Sequence, residues 1–315
     1  MMLPQGKNAE AFHGVRYNLP GLFLFSELIY KYLEIVKSKF DLNINIKYLY
    51  GSPICKWNGG RIVFKHNLEF NKIENAEREI FEAASHNITP VITFSNYKIQ
   101  DFSDNFCNEI LNIINKVQGG VIISSPELGD YIRSKFKDVK IHASVIMTAF
   151  EAEDKRTSEY YKELSKRYEQ YVIHPDDLFN YGLISSIPAD NAEILINERC
   201  YRNCKLRAEH YKAIEAEQAT QQADGKFFDL KFLDKCAAMP EYKQISSKLR
   251  TCSLTNSESE GLAELGFKII KLQGRADSPC VFFFDLMRYS LENNIAFPSM
   301  FPVFMPEVLR FNAEY

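Results

Sequence analysis

The sequence predicts an α/β protein built on a parallel (β/α)8 barrel of the TIM type. Short β-branched runs alternate with longer helical stretches along most of the 315 residues, and such alternation implies right-handed βαβ units in a parallel sheet. Eight strand signals occur, which is the number that closes this barrel. The length suits one barrel with insertions, so we predict a single domain over residues 1–315. An open doubly wound sheet is the alternative.

Most of the strand signals are short runs rich in Val, Ile and Tyr, as expected for parallel strands that are buried on both faces. The first signal, near Phe12 to Tyr17, is the weakest. The predicted strands are 12–17, 44–50, 89–94, 121–123, 139–143, 170–173, 192–196 and 267–271. Seven apolar residues of these strands are expected to be buried in or around the barrel, namely Ile46, Val91, Ile122, Ile141, Val172, Leu195 and Ile269.

The segments between the strands show helical spacing. Gly119 ends one such helix, and Pro126 stands at the favoured first turn of the next. The predicted helices are 19–35, 74–86, 104–118, one beginning at 126, 160–168 and 281–292. The polar stretch 213–248 breaks the alternation, and we predict that it is a mostly helical insertion before the last strand, outside the barrel wall.

Composition and charge narrow the class of protein. Hydrophobic residues make up 46% and charged residues 25% of the chain, which is ordinary for a globular protein. The net charge of −3 predicts no general binding to nucleic acids. The N-terminus resembles no signal peptide and no apolar run is long enough to span a membrane, so we expect a cytoplasmic protein without membrane contact. The seven cysteines are then expected to be thiols or metal ligands.

Ligands of parallel barrels bind at the C-terminal ends of the strands, where the loops converge. Polar residues that follow the predicted strands are therefore candidates for function. The candidate catalytic residues are His142, His174 and Glu198, and the candidate substrate-binding residues are Arg61, Asn96 and Arg275. Each has a structural alternative, because polar residues after strands often cap helices, as expected for Ser125 and Asp176.

The strongest local motif is the pair Cys200 and Cys204 in the loop after a buried strand. Thiolates at this spacing suit zinc or an iron–sulfur cluster, although two structural cysteines are the alternative. Basic neighbours, which are Arg199, Arg202, Lys205 and Arg207, offset negative charge and lower thiol pKa values. A four-ligand site needs two more residues from Cys55, Cys252, Cys236, Cys280 and His210, whereas Cys107 is expected to be core packing.

Four features resemble the collagenase-like peptidase family (U32), including its iron–sulfur members that act in anaerobic hydroxylation of ubiquinone precursors and RNA bases. They are the segment 48–61, the cysteine-rich loop 200–211, Cys252 upstream of the final strand, and the closing segment 268–275, Lys-Ile-Ile-Lys-Leu-Gln-Gly-Arg. Gln273 stands where the family has an acidic residue, and the middle cysteines are spaced differently. The resemblance implies a barrel in which four cysteines bind a 4Fe–4S cluster, here Cys55, Cys200, Cys204 and Cys252.

Three functions compete at this point. The first is an iron–sulfur protein in a redox or hydroxylation reaction on a small aromatic or nucleotide-like substrate, alone or with a protein partner. The second is a cysteine- or metal-dependent peptidase, with Cys55 paired to His142 or His174. The third is a non-enzymatic scaffold or partner subunit with a structural metal, for which zinc is the alternative to the cluster. Neither a Gly-x-Ser-x-Gly nor a His-Glu-x-x-His motif occurs in the sequence.

Overall fold

Eight parallel strands close a barrel in chain order, and the last strand pairs with the first. The computed structural model describes residues 14–58, 72–99, 101–224, 251–274, 278–291 and 296–314. The strands are β1 (Arg16–Pro20), β2 (Ile46–Gly51), β3 (Thr89–Phe94), β4 (Gly120–Ile123), β5 (Lys140–Ala143), β6 (Gln170–Val172), β7 (Ala192–Leu195) and β8 (Ile269–Lys271). The predicted fold class is confirmed.

Helices cover the outside of the barrel and follow most of the strands. They are α1 (Ser26–Phe40), α2 (Ile73–Ser85), α3 (Asn105–Lys116), α4 (Pro126–Lys135), α5 (Val145–Phe150), α6 (Ser158–Arg167), α7 (Tyr181–Ile184), α8 (Arg207–Asp224), α9 (Asn256–Glu264), α10 (Pro279–Ser290) and α11 (Ala296–Glu314). Side-chain caps begin several of them. The Asp104 carboxylate accepts from the amide of Cys107, Ser125 caps α4, and Thr255 and Glu258 form a capping box.

The seven apolar strand residues predicted to be buried are all buried. They are buried because the barrel is closed: one face of each strand points into the interior, and the other points to the surrounding helices. Tyr48, Tyr50, Val91 and Ile122 form a compact apolar cluster of their own. The remaining apolar core lies between the strands and the surrounding helices.

The first strand and first helix differ from the prediction. The strand begins at Arg16, later than the predicted segment 12–17, whose residues 12 and 13 lie outside the described residues. The helix predicted over 19–35 begins only at Ser26. Gly21 separates the two elements at a φ of +128°, and a Cβ atom there would lie 2.7 Å from the Phe25 ring. The apolar run that begins at residue 19 therefore contains the end of a strand and a tight turn, and the helix starts only after them.

The described part of the predicted insertion lies over the rim of the barrel. Helix α8 begins at Arg207, six residues before the predicted boundary at 213. Its Lys212 ammonium lies 5.5 Å from the centre of the Phe150 ring, and its Glu215 carboxylate accepts from the Lys98 amide at 3.2 Å. It therefore reaches the loop that follows β3 and helix α5, which follows β5. Residues 225–250 lie outside the described residues.

Among the described residues, no helix is both long enough and apolar enough to cross a bilayer.

Gly51 provides a test of the packing at the end of β2. A Cβ atom at this position would lie 2.0 Å from the carbonyl oxygen of Leu22, which belongs to the backbone and cannot rotate away. We expect Gly51→Ala to lower the free energy of unfolding by about 2–3 kcal/mol or more through overpacking. Gly182→Ala is the matched control, since the atom nearest to its added Cβ, the side-chain oxygen of Asn180, would lie 3.6 Å away. Urea unfolding that shows equal stabilities for the two variants would contradict this packing.

Candidate metal centre at the barrel mouth

Cys252 is brought beside Cys200 by backbone pairing at the barrel mouth. The Cys252 amide donates to the Cys200 carbonyl at 2.8 Å, and the Leu254 amide donates to the Ile196 carbonyl at 2.8 Å. An isolated antiparallel bridge between Tyr201 and Thr251 continues this pairing. Residues 251–254 thus run back along the loop that follows β7. Two cysteines that are 52 residues apart in the chain become neighbours in this way.

The end of β7 is itself held against the end of β8. Asn197 Nδ2 donates to the carbonyl of Gln273 at 2.9 Å, and the Gln273 amide returns a hydrogen bond to Asn197 Oδ1 at 2.7 Å. Gln273 Nε2 also donates to the Asn197 carbonyl at 3.0 Å. Gln273 therefore has a structural partner here, and it supports the start of the cysteine loop.

The thiols of Cys200 and Cys204 contact each other by a hydrogen bond, and that bond and burial raise the pKa of Cys200. Cys252 Sγ lies 3.3 Å from Arg207 Nη2 and 3.2 Å from Asp176 Oδ1. Burial raises the pKa of Cys252 to about 12, against the opposing effect of the Arg207 charge. The Arg207 charge lowers the pKa of both thiols, as predicted for a basic neighbour. Burial and, for Cys200, the contact with Cys204 outweigh it, so the net pKa of each is raised.

Arg207 is the cation around which this cluster is built. Its side chain is only 5% exposed, and Nη2 donates to Asp176 Oδ1 and to the Tyr201 carbonyl, both at 3.1 Å. Glu198 Oε2 lies 4.0 Å from Nη1. Burial alone would lower the pKa of Arg207, but electrostatic interaction with the neighbouring cysteines and carboxylates, Cys200 and Asp176 foremost, raises it. Its Nε and Nη1 groups have no hydrogen-bond partner among the described residues.

Cys55 lies in a different part of the rim. It follows β2, and its thiol contacts Ser52 Oγ at 3.8 Å and the thiol of Cys107. Burial would raise the pKa of Cys55, but hydrogen bonds from Cys107, Ser52 and two backbone amides lower it. The contact with Cys55 raises the pKa of Cys107 in turn. Since β2 and β7 lie on nearly opposite sides of an eight-stranded barrel, these contacts separate Cys55 from the cysteine loop.

The observed contacts thus join three of the four predicted ligands. Within the described ranges, no three Cys, His, Asp or Glu side chains converge closely enough to hold a metal ion. Of the rival ligands, Cys236 lies outside the described residues, Cys280 is half-buried on α10, and His210 stacks beside Tyr211 on α8. An anionic thiolate-bound group fits these residues in part. The Cys200 and Cys204 thiols contact each other, and Cys252 lies beside a buried arginine whose Nε and Nη1 groups have no hydrogen-bond partner among the described residues. The fourth ligand is not among these contacts.

The two candidate histidines occupy different environments. His142 lies inside the barrel, where its ring meets the edge of Tyr48 and hydrogen bonds to Gln170, while Nε2 has no partner among the described residues. Burial lowers the pKa of His142 to about 3. His174 Nδ1 accepts from the Asp176 amide at 3.2 Å, and burial followed by the charges of two arginines lowers its pKa to about 4. Both are therefore neutral at pH 7.

The other candidates have structural contacts or lie outside the described residues. Glu198 Oε1 accepts from the Cys200 amide at 2.8 Å and so shapes the cysteine loop. Asn96 donates through Nδ2 to the Lys56 carbonyl at 3.1 Å, which fastens the Cys55 loop. Arg61 and Arg275 lie outside the described residues. Their predicted placement in the barrel mouth remains a prediction.

Sequence reasoning missed a polar network inside the barrel. Asn18 Nδ2 donates to Gln170 Oε1 at 2.8 Å and also contacts Glu193, and Lys271 Nζ donates to Glu193 Oε2 at 2.9 Å. All four residues are buried. The sequence did contain a signal for this network. Strands of this barrel class are mostly apolar, and the strands β1, β6, β7 and β8 each carry one of these polar residues at an inward position.

Comparison with known proteins adds one structural likeness. No protein-family model matches the chain, and none of the curated proteins matches it. A solved structure, that of the U32 peptidase Mk0906, superposes with a TM-score of 0.48 at 10% sequence identity. The likeness covers 82% of this chain and 92% of that protein. The barrel described here rests on its own strand pairing.

Arg207 offers a test of the cluster. Arg207→Gln leaves the Asp176 carboxylate, whose side chain is only 13% exposed, without its cation, and we expect a loss of roughly 3–5 kcal/mol in the free energy of unfolding. Arg199→Gln is the control from the same loop. Arg199 contacts Asp285 at 3.3 Å, but its side chain is 43% exposed, so the loss should stay below about 1 kcal/mol. Equal losses in chemical denaturation would contradict the central position of Arg207.

The buried histidines predict a pH dependence of stability. A histidine in the unfolded chain has a pKa near 6.5, whereas those of His142 and His174 are lowered to about 3 and about 4. Below a pH of about 6.5 the unfolded state therefore binds more protons than the folded state. The stability that is present above this pH is lost as the pH falls towards the pKa values of the folded state. Each contributes up to about 1.4 kcal/mol per pH unit. His142→Gln should remove that amount from the slope between pH of about 6 and 4.5, and an unchanged slope in urea titrations would refute its burial in the neutral form.

Proposed function

We propose that this chain is an iron–sulfur-binding barrel protein related to the collagenase-like peptidases, acting in a redox or hydroxylation reaction on a small aromatic or nucleotide-like substrate. The observation that carries the proposal is that the thiols of Cys200 and Cys204 contact each other, while Cys252 pairs with Cys200 through the backbone and contacts the buried Arg207. The four sequence motifs that resemble the family support it as well. The fold alone does not, because barrels of this class host many unrelated functions.

The chemistry of the donor set supports a thiolate-bound group at this position. Thiolates bind iron–sulfur clusters and zinc, and metal binding removes the protons that the raised pKa of Cys252 keeps on the free thiol. Arg207 offsets the negative charge of such a group, and its Nε and Nη1 groups are available as donors. When bound, an iron–sulfur cluster supplies one-electron transfer or activation of a substrate.

The residues around the cysteines position the site and set its protonation. Asp176 accepts from Arg207 and from the Asn203 amide at 2.9 Å, so it links the β6 end to the cysteine loop. The bond from the Asp176 amide to His174 Nδ1 places the proton of the neutral imidazole on Nε2. At neutral pH the His174 ring is therefore neutral and can donate a hydrogen bond through Nε2, and it carries no second proton to transfer.

Anaerobic purification with iron and sulfide analysis and absorption near 400 nm tests the proposal. Ser variants of Cys200, Cys204 and Cys252 should weaken metal binding by more than the roughly 10–100-fold that changes outside the ligand shell cause. They should also lose the stability that the bound metal contributes. Cys107→Ser is the matched control and should keep the metal.

The same series decides the fourth ligand and the metal. Loss of iron in Cys55→Ser would place Cys55 in the site and require its loop to leave Cys107 on binding, whereas loss in Cys280→Ser or His210→Ala would identify a rival. A colourless protein that binds one zinc ion through the same three cysteines would favour a structural site. A protein that binds neither metal after anaerobic reconstitution would refute the proposal.

A further inference from the structure

Cys55 and Cys107 form a pair of contacting thiols outside the candidate metal centre. They lie 52 residues apart in the chain, and each thiol contacts the other by a hydrogen bond. Cys55 is 6% exposed, Cys107 is fully buried, and both belong to the main apolar core. Two thiols in contact are the starting geometry for a disulfide, whose formation brings the sulfurs to about 2.05 Å.

Polar contacts beside the two cysteines hold their segments together. Trp57, which is buried, donates through Nε1 to the Asp101 carbonyl at 3.0 Å. Lys56 Nζ lies 3.3 Å from Asp104 Oδ2, and the other oxygen of Asp104 accepts from the Cys107 amide at 2.9 Å. The loop after β2 is therefore fastened to the beginning of α3. The contact between the thiols is thus set by two anchored backbone segments and not by side-chain rotation alone.

The surroundings of the Cys55 sulfur stabilise a thiolate. The amides of Trp57 and Asn58 donate to this sulfur. The Cys107 thiol contacts it as well, and Ser52 Oγ lies 3.8 Å away. Hydrogen-bond donors around a sulfur favour the thiolate, which is the nucleophilic form of cysteine. The pair therefore combines an attacking sulfur with a second thiol in contact with it.

Burial determines which kind of oxidant suits this pair. Because Cys55 is almost covered and Cys107 is completely covered, a bulky disulfide such as oxidised glutathione is poorly placed to meet either sulfur in line. Hydrogen peroxide is little larger than a water molecule, and it carries its own leaving group, the hydroxide. A peroxide is therefore the oxidant class that fits the site.

We propose that Cys55 and Cys107 are an oxidative modification site, at which a peroxide converts the two thiols to an intramolecular disulfide. The Cys55 thiolate attacks one peroxide oxygen, the O–O bond breaks, and the leaving hydroxide takes up the proton that Cys55 has lost, which gives water and a sulfenic acid. The Cys107 sulfur then attacks the Cys55 sulfur, the S–O bond breaks, and hydroxide leaves as water with the Cys107 proton. Two thiols are oxidised, and one peroxide is reduced to two molecules of water.

The disulfide fixes the loop after β2 to α3 and occupies the Cys55 sulfur. In this state Cys55 cannot bind a metal, so the loop offers no thiolate to the candidate metal centre. Formation of the disulfide needs none of Cys200, Cys204 and Cys252, and it is therefore independent of the iron–sulfur proposal.

Peptide mapping of the full chain after treatment with an equimolar amount of hydrogen peroxide tests the proposal. Free thiols are blocked with N-ethylmaleimide, and trypsin without reductant releases the two cysteines in the peptides 48–56 and 99–116. We expect these peptides to be joined, to be lighter than their sum by two hydrogen atoms, and to separate on addition of dithiothreitol. In the urea-unfolded chain the yield should fall at least about tenfold, because contact in the folded chain raises the effective concentration of the thiols.

Single variants separate the roles of the two thiols. Cys107→Ser should stop at the sulfenic acid of Cys55, which dimedone traps, and Cys55→Ser should leave Cys107 as a free thiol. Cys280→Ser, in the half-buried cysteine of α10, is the matched control and should give the joined peptides in the natural yield. Cys252→Ser should do so too, although it removes a proposed metal ligand, so the two proposals fail separately.

The result for the folded natural chain decides the proposal, with or without a variant that fails to fold. Absence of the joined peptides from that chain, or an equal yield in urea, would overturn it. Faster formation of the disulfide with oxidised glutathione than with peroxide would overturn it as well, because a bulky oxidant would then reach the pair more readily than a small one.

Discussion

The buried ion pair between Lys271 and Glu193 is the interaction on which the rest of this barrel depends. It joins β8 to β7 at 2.9 Å in the interior, and the Asn18 amide extends it to β1 and β6 through Glu193 and Gln170. The Lys271 ammonium also lies 4.3 Å from the centre of the Tyr50 ring of β2. Breaking a buried pair leaves an uncompensated charge at a cost of roughly 3–5 kcal/mol. Closure of the sheet between its last and first strands is therefore coupled to the satisfaction of this network.

The same network determines where the cysteine loop begins. Lys271 lies beside Leu195 in the register of β7 and β8, and the reciprocal bonds of Asn197 and Gln273 follow directly beyond them. The loop after β7 starts from these bonds, and the segment 251–254 forms backbone hydrogen bonds with it in antiparallel direction. The position of the thiols thus follows from the strand register and not from the spacing of Cys200 and Cys204 alone. A loop anchored on both sides can hold a buried arginine between its thiols.

The periodic parts of this structure were predictable from the sequence, and the long-range contacts were not. The strand Thr89–Phe94 has the predicted bounds because β-branched residues end at a polar loop, and α4 begins at Pro126 after its Ser125 cap. The contact between Cys55 and Cys107 was missed, since no local pattern reveals which helix a loop will meet. The inward polar residues do stand out locally in mostly apolar strands, but their network was not predictable, because the partners that satisfy them lie on other strands.

Helix α8 ties the two halves of the barrel mouth together. It begins with Arg207 among the cysteines and carries Glu215, which accepts from the Lys98 amide, about 12 Å further along its axis. Lys212 lies between them against Phe150 of α5. Residues two turns apart on an α-helix keep a fixed relative position, because every turn is held by local hydrogen bonds. Helix α8 therefore fixes the loop after β7, where it begins, relative to α5 and to the loop after β3.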